Sequence, residues 1–537
     1  MSSPSSLSKR SEKWPVTQTR RIVAALESDS IPLGYSILVF FFSITLRNFI
    51  ELFATNEKDF PLDRMIHFWL FFVSAALFTT LILHLATREP VVKVLKVVLP
   101  ASIVLIVTPI VDLTWTLGEG ARITYLVPNY HEDFVYRFFT FFGDYNNHGA
   151  SPGIRVEIAI ILIANTLYCI AKGAGLRRGL LAAISIYTII FAHGALPLIL
   201  NQLMPLFDLE YKYTDPLLGR CFLLSSVLAA AVVAWRSSPR YFLTFAKDLR
   251  WMRVLYYELL FFLGYLFDCQ SRPIQFTHDN LFHMLLIPIS LILAILFSIV
   301  TNNLADVDID RVSNRDRPLY KKGIDREHYR KTAAPFFVLS LLVALITDQK
   351  SFLYVLLFIA LYFIYSMPPF RFKRVPFFSK LVISTNSLAI FVMGFFLRDG
   401  ALTDIPGIVF AYFVIGFTTV ANFIDLKDFE GDRAAGIKTI PVLLGLKRAK
   451  LLCGAAFLVF YLSIFFAIGD LVLLPALVVL GGLQLYFITR TKYRELPVFV
   501  TLNASIIVFI IYVIWLAPFD SLKSLGQTAL SWVGASS

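Results

Sequence analysis

The feature that most constrains this chain is a recurring apolar window of roughly 20 residues, which appears about fifteen times between Ile31 and Leu516. A window of that length crosses the hydrocarbon core of a bilayer as an α-helix, the form that satisfies its own backbone hydrogen bonds there. Composition agrees. Over 537 residues, 57% are hydrophobic and 16% charged, against about 25% charged in soluble globular domains. The expected fold class is therefore all-α, a polytopic membrane helical bundle of about 15 transmembrane helices. Six windows (31–54, 64–87, 91–115, 155–175, 179–204 and 217–235) precede the basic linker RSSPRYFLTFAKDLRWMR. Nine follow it, at 253–268, 280–302, 333–347, 351–367, 378–398, 406–424, 448–468, 470–488 and 495–516. The linker divides the chain into an N-terminal membrane domain, 1–246, and a second domain, 247–537.

The net charge of +12 does not indicate nucleic acid, because the basic residues lie in short loops between apolar windows rather than in one patch or tail. They act as topology signals. With the basic N-terminus on the cytoplasmic side, the loops that alternation places inside carry most of the Lys and Arg of the second domain. The bias in the first domain is slight. The first apolar window is too long and too poorly flanked for a cleaved signal peptide, so an integral, multi-pass chain with a retained N-terminus is expected (in the cell membrane, if prokaryotic). Cys169, Cys221, Cys269 and Cys453 are scattered without a CxxC pair, and the eight histidines show no HExxH spacing. Neither pattern suggests a zinc site or a disulfide framework.

Two acidic segments fall on the predicted cytoplasmic side. In NNLADVDIDR, Asn302 to Arg311, the residues Asn303, Asp306 and Asp310 share one helical face at i, i+3 and i+7. In DLKDFEGDR, Asp425, Asp428 and Asp432 repeat that spacing, while Asp308 lies off the stripe. Stacked like charges destabilise a helix end, and each carboxylate near hydrocarbon costs roughly 2.5 to 3.5 kcal/mol. A compensating cation is expected, and a ligand set of oxygens alone favours Mg²⁺ over softer metals. Magnesium is commonly shared between carboxylates and substrate phosphates, so two such stripes can hold a diphosphate between them. Arg311, Arg371, Lys373, Arg374 and Lys438 are placed to complete its charge clamp. A diphosphate at the mouth of an apolar bundle implies an isoprenyl diphosphate, whose allylic C–O bond ionises as metal ions take up charge on the departing group. Tyr362, Tyr365 and Phe423 are candidate π faces for the cation.

These motifs resemble those of the UbiA superfamily of intramembrane prenyltransferases over about 248–516. NNLADVDIDR is similar to the family's NDxxDxxxD at all but one position, and NRDRPLYKKGI to the segment that follows it. YSMPPFRFKR resembles the loop after the family's fourth helix, and DLKDFEGDRAAGIKTIPVLLG its second motif. The resemblance implies nine helices and Mg²⁺-dependent prenyl transfer to a lipophilic acceptor of aromatic, tetrapyrrole or glycerol-phosphate type, with membrane lipid around the site. It also implies that Asn302, Asp306 and Asp310 hold one Mg²⁺ and Asp428 and Asp432 another, with Asp425 alongside. Asp306, Asp310, Asp428 and Asp432 then carry catalysis, and Lys373 and Arg374 hold the diphosphate. The departure from the pattern is Asn303, where the family commonly has Asp.

Residues 1–246 resemble no family. Their long loop contains His131, Glu132, Asp133 and His148, read as an ordered polar cap on the bundle. Two alternatives to prenyl transfer are a terpene cyclase using the same ionisation and a transporter lined by carboxylates. Acids at helix ends rather than at the midplane disfavour the transporter.

Overall fold

A computed structural model describes residues 14–515, apart from 56–61, 122–124, 127–133, 145–148, 208, 210–213, 271, 275–276, 308–309, 311–316, 321–323 and 435. His131, Glu132, Asp133, His148, Asp308 and Arg311 therefore lie outside the described residues. Every regular element among the described residues is helical. The chain separates into two compact units, Met1–Phe242 and Leu243–Ser537, and the dividing point falls inside the short helix Pro239–Asp248.

The first unit contains α1 (Leu33–Phe53), α2 (Arg64–Thr87), α3 (Val91–Trp115), α4 (Pro152–Ala171), α5 (Leu176–Gly194) and α6 (Asp215–Ser237), all long and apolar enough to cross a membrane. The start of α4 shows how polar groups are settled inside this bundle. Asp112 on α3 is 1% exposed. It accepts hydrogen bonds from the Ser151 hydroxyl at 2.6 Å and the Gly153 amide at 2.7 Å, the latter a donor that the first turn of a helix leaves without an intrahelical partner. A side chain at Gly153 would collide with Asp112 and with the Thr108 carbonyl.

The second unit contributes α7 (Trp251–Leu266), α8 (His278–Ala305), α9 (Arg326–Thr347), α10 (Gln349–Ser366), α11 (Pro376–Phe396), α12 (Gly407–Leu426), α13 (Leu446–Ile468), α14 (Leu474–Thr489) and α15 (Glu495–Trp515). Fourteen of the fifteen apolar windows thus correspond to one helix each, while 179–204 divides at Ala195 into α5 and the short helix Leu196–Leu203; thirteen helices meet the length and hydropathy expected of a span. The exceptions, α7 and α14, have 16 residues each, about 24 Å of helix.

Without a hydrophobic drive between helices in lipid, close packing at small residues holds such a bundle together. The α7–α11 contact does this with reciprocal glycines. Gly264 lies against the backbone carbonyl of Phe391, and Gly394 against that of Phe261, with no room for a Cβ at either position. Around this seam is one continuous core that includes Phe261, Tyr265, Leu291, Ala294, Phe358, Ile390 and Phe457.

Candidate active site

The first acidic motif ends α8. Thr277 caps its N-terminus, and at its C-terminus the helical bonding continues past Ala305, with the Asp306 amide on the Asn302 carbonyl at 3.0 Å and the Asp310 amide on the Asp306 carbonyl at 2.8 Å. Residues four apart stay on one face under this bonding. The face presented to the cavity is therefore Asn302, Asp306 and Asp310, not the Asn303, Asp306, Asp310 stripe. The second motif is built differently. α12 begins as α-helix, passes through a π segment over Tyr412–Phe417 and tightens to a 3₁₀ helix over Ala421–Leu426. Three residues per turn align i with i+3, which brings Asp428 above Asp425. The short helix Phe429–Ala434 then supplies Asp432, whose amide bonds the Asp428 carbonyl at 2.8 Å.

Both triads line one cavity of about 900 Å³ within the second unit. Its upper wall is polar, and its deeper walls include Tyr256, Tyr257, Ile295, Ile299, Phe417 and Leu502. The three aromatics expected near the motifs, Tyr362, Tyr365 and Phe423, also line it.

The acids are not left as bare stripes. Asp306 is gripped by Lys373 at 2.5 Å and Arg371 at 3.1 Å, both from the loop after α10. Asn302 Oδ1 accepts from Lys373 at 3.3 Å and from Ser366 at 3.0 Å. Asp310 lies 3.7 Å from Arg317, and Asp425 pairs at 2.5 Å with Lys380, which is 2% exposed on α11. Burial, followed by the charges of Asp425 and Asp428, pushes the Asp432 carboxyl up to about 7. A carboxyl crowded in this way is one that a bound cation relieves.

Among the described residues, no three His, Cys, Asp or Glu side chains converge as a ready metal cage. The two motifs instead put separate oxygen donors on the cavity wall, five carboxylates and the Asn302 amide, the donor type Mg²⁺ takes one or two at a time beside water and phosphate oxygens. The donor set therefore fits the ion. Asn302, Asp306 and Asp310 would hold it on one wall, and Asp425, Asp428 and Asp432 on the other.

Asn303 is turned away from this cavity. It is 1% exposed, and its amide donates to Asp248 at 2.6 Å and to the Tyr329 hydroxyl at 2.9 Å. It ties the end of α8 to the segment before α7 and to the start of α9. Of the expected basic residues, Lys373 lines the cavity and Arg371 reaches it through Asp306, while Arg374 and Lys438 are not among the lining residues.

Sequence reasoning misses a second set of polar residues on the cavity wall: Asp248, Arg250, Arg253, Arg317, Lys427 and Glu495. Arg253 meets Glu495 at 2.5 Å, and Lys427 stands 3.5 Å from the same carboxylate. In the sequence Arg253 belongs to the basic linker, where topology already accounts for it. Lys380 carries a legible signal, since a lysine within an apolar window is costly unless it meets an acid.

The second unit is thus an all-helical bundle in which two acid-bearing helix ends face one half-polar, half-aromatic cavity. Residues 275–498 match the model of the UbiA prenyltransferase family. Digeranylgeranylglyceryl phosphate synthase from Methanoculleus marisnigri is 27% identical over 186 residues, covering 32% of this chain and 64% of that protein. The chloroplastic 2-acylphloroglucinol 4-prenyltransferase of Humulus lupulus is 28% identical over 206 residues, covering 36% and 49%. The chain thus spans less than two thirds of the length of either relative. A UbiA homolog from Archaeoglobus fulgidus bound to GPP and Mg²⁺ aligns with a TM-score of 0.41 at 22% identity, over 50% of this chain and 99% of that one.

Proposed function

We propose that the second unit catalyses Mg²⁺-dependent transfer of a prenyl group from an isoprenyl diphosphate to a lipophilic acceptor, at the cytoplasmic side of the membrane. The observation that carries this reading is the shared cavity. Asn302, Asp306 and Asp310, and Asp425, Asp428 and Asp432 more than a hundred residues further on, line the polar end of a pocket whose other end is aromatic and apolar. When bound, Mg²⁺ supplies positive charge to the diphosphate oxygens as the allylic C–O bond breaks. The chain's own residues do the rest. Lys373 and Arg371, fixed on Asp306, put two positive charges at the level where a diphosphate would bind and orient it. Below them Tyr362, Tyr365 and Phe423 present π faces to the allylic cation and exclude water from it.

The names of the two relatives support prenyl transfer and point to acceptors of glycerol-phosphate or phloroglucinol type. The cytoplasmic side rests on the basic residues that flank the motifs. The test is to incubate the purified full chain with Mg²⁺, a prenyl diphosphate and a panel of both acceptor types, and to identify products by mass. A prenylated acceptor that disappears on chelation is the expected result. Diphosphate release with only a hydrocarbon product assigns a cyclase instead, and no consumption of any donor removes the reading.

A further inference from the structure

The depth of the cavity can be read from two helices independently. On α8, seven residues separate Asn302 at the diphosphate level from Ile295, the deepest lining residue of that helix. On α15, seven separate Glu495 from Leu502. α11 flanks both levels from outside the cavity: Lys380 bonds Asp425 at the polar end, and the Ser387 hydroxyl accepts from Tyr256 at 2.9 Å. Seven residues of helix rise about 10 Å. The agreement fixes a floor about 10 Å below the polar mouth.

That floor is solid. Tyr256 stacks on Phe417 with ring centroids 5.6 Å apart and 15° between planes, and its hydroxyl is tied to Ser387. Tyr257 braces the same level through the Tyr362 hydroxyl at 3.1 Å. Immediately beneath, Leu291, Ala294, Phe261 and Ile390 are each 0% exposed, so nothing below the stacked pair is open to a longer chain.

An extended five-carbon prenyl unit adds four backbone bonds of about 1.5 Å in a zigzag, roughly 5 Å of length. About 10 Å therefore holds two units. Resting on the prenyl-diphosphate reading, we infer that the Tyr256–Phe417 pair is a chain-length stop and that the site is matched to a ten-carbon prenyl diphosphate. A third or fourth unit meets packed protein and must fold back or leave past the exposed rim residues Trp251 and Leu496.

The test is binding, so that no acceptor is needed. Prenyl thiolodiphosphates of five, ten, fifteen and twenty carbons, which resist ionisation, are titrated calorimetrically into the full chain with Mg²⁺. The expected Kd tightens about tenfold or more from five to ten carbons and gains nothing from ten to twenty. In Phe417→Ala and in Tyr256→Leu, the twenty-carbon to ten-carbon affinity ratio rises about tenfold. This ratio is unaffected by a general loss of active protein, and two independent substitutions guard against one that fails to fold. Progressive tightening through twenty carbons in the wild type, or an unmoved ratio in both variants, overturns the stop while leaving prenyl-diphosphate binding intact. Absence of Mg²⁺-dependent binding at every length overturns both.

Discussion

Replacing Asn303 by Asp, the residue the family commonly carries there, should damage this protein, and the structure sets the size of the effect. The Asn303 amide gives a hydrogen bond to the Asp248 carboxylate at 2.6 Å in a site where Asn303 is 1% exposed and the Asp248 side chain 11%. The substitution removes that charge-assisted bond, worth about 1.5–3 kcal/mol. It also sets two carboxylates about 3 Å apart, which at an effective dielectric of about 20 repel by about 5 kcal/mol. The pair has an escape, namely to keep one proton. At pH 7 this costs about 1.4 kcal/mol for each unit above an ordinary carboxylate pKa near 4, which caps the penalty at about 4 kcal/mol. The expected loss for Asn303→Asp is therefore about 3–4 kcal/mol at pH 7. The sign of its pH dependence follows. A folded-state pKa raised above the unfolded value makes stability greatest at low pH and lost as pH rises, so the penalty should shrink toward roughly 1–2 kcal/mol at pH 5. Asn303→Ala lacks the repulsion and should be the milder variant at pH 7 but not at pH 5. Asn303→Asp with Asp248→Asn exchanges donor and acceptor and should recover at least half of the loss. Chemical unfolding in detergent at the two pH values measures all of this. A pH-independent Asn303→Asp, or losses that simply add in the double variant, would refute the reasoning.

Three further outcomes follow from the same geometry. Lys380→Met strands Asp425 beside buried apolar residues and should cost about 3–5 kcal/mol in unfolding, most of it restored by Lys380→Met with Asp425→Asn. Gly264→Ala forces a methyl against the Phe391 carbonyl and should cost about 1–3 kcal/mol, lowering the thermal midpoint while the Mg²⁺ dependence of the folded fraction is kept. With burial pushing the Asp432 carboxyl up to about 7, a Mg²⁺ ion bound there would have to displace its proton below that pH. The apparent Mg²⁺ affinity, followed by Mn²⁺ competition, should weaken by up to about tenfold per pH unit between 7 and 5, and Asp432→Asn should flatten that slope.

The helices were legible because length and apolarity alone decide them in lipid, down to the 16-residue α7 and α14. The acidic motifs were legible because charge at a membrane helix end needs a reason. What could not be read was which neighbour in each turn faces inward. A spacing of i, i+3, i+7 and one of i, i+4, i+8 differ by only one residue on the wheel, and packing of Asn303 against Asp248 and Tyr329 decided for Asn302. The second motif kept its i, i+3 step because the backbone there tightens to 3₁₀, a choice that local propensity does not announce. The Arg253–Glu495 pair was invisible for another reason: its members stand 242 residues apart, and one sits in a run of basic residues that topology already explained.

In the proposed reaction the two acidic motifs act together on one bound diphosphate. This is tested most directly by a double-mutant cycle on Mg²⁺-dependent diphosphate release, with Asp306→Asn, Asp428→Asn and the pair. Each single change should lower the rate about 10²-fold or more, and the double should be little worse than either, because one site is already broken. Independent, multiplying losses, or wild-type release in either single variant, would contradict the account.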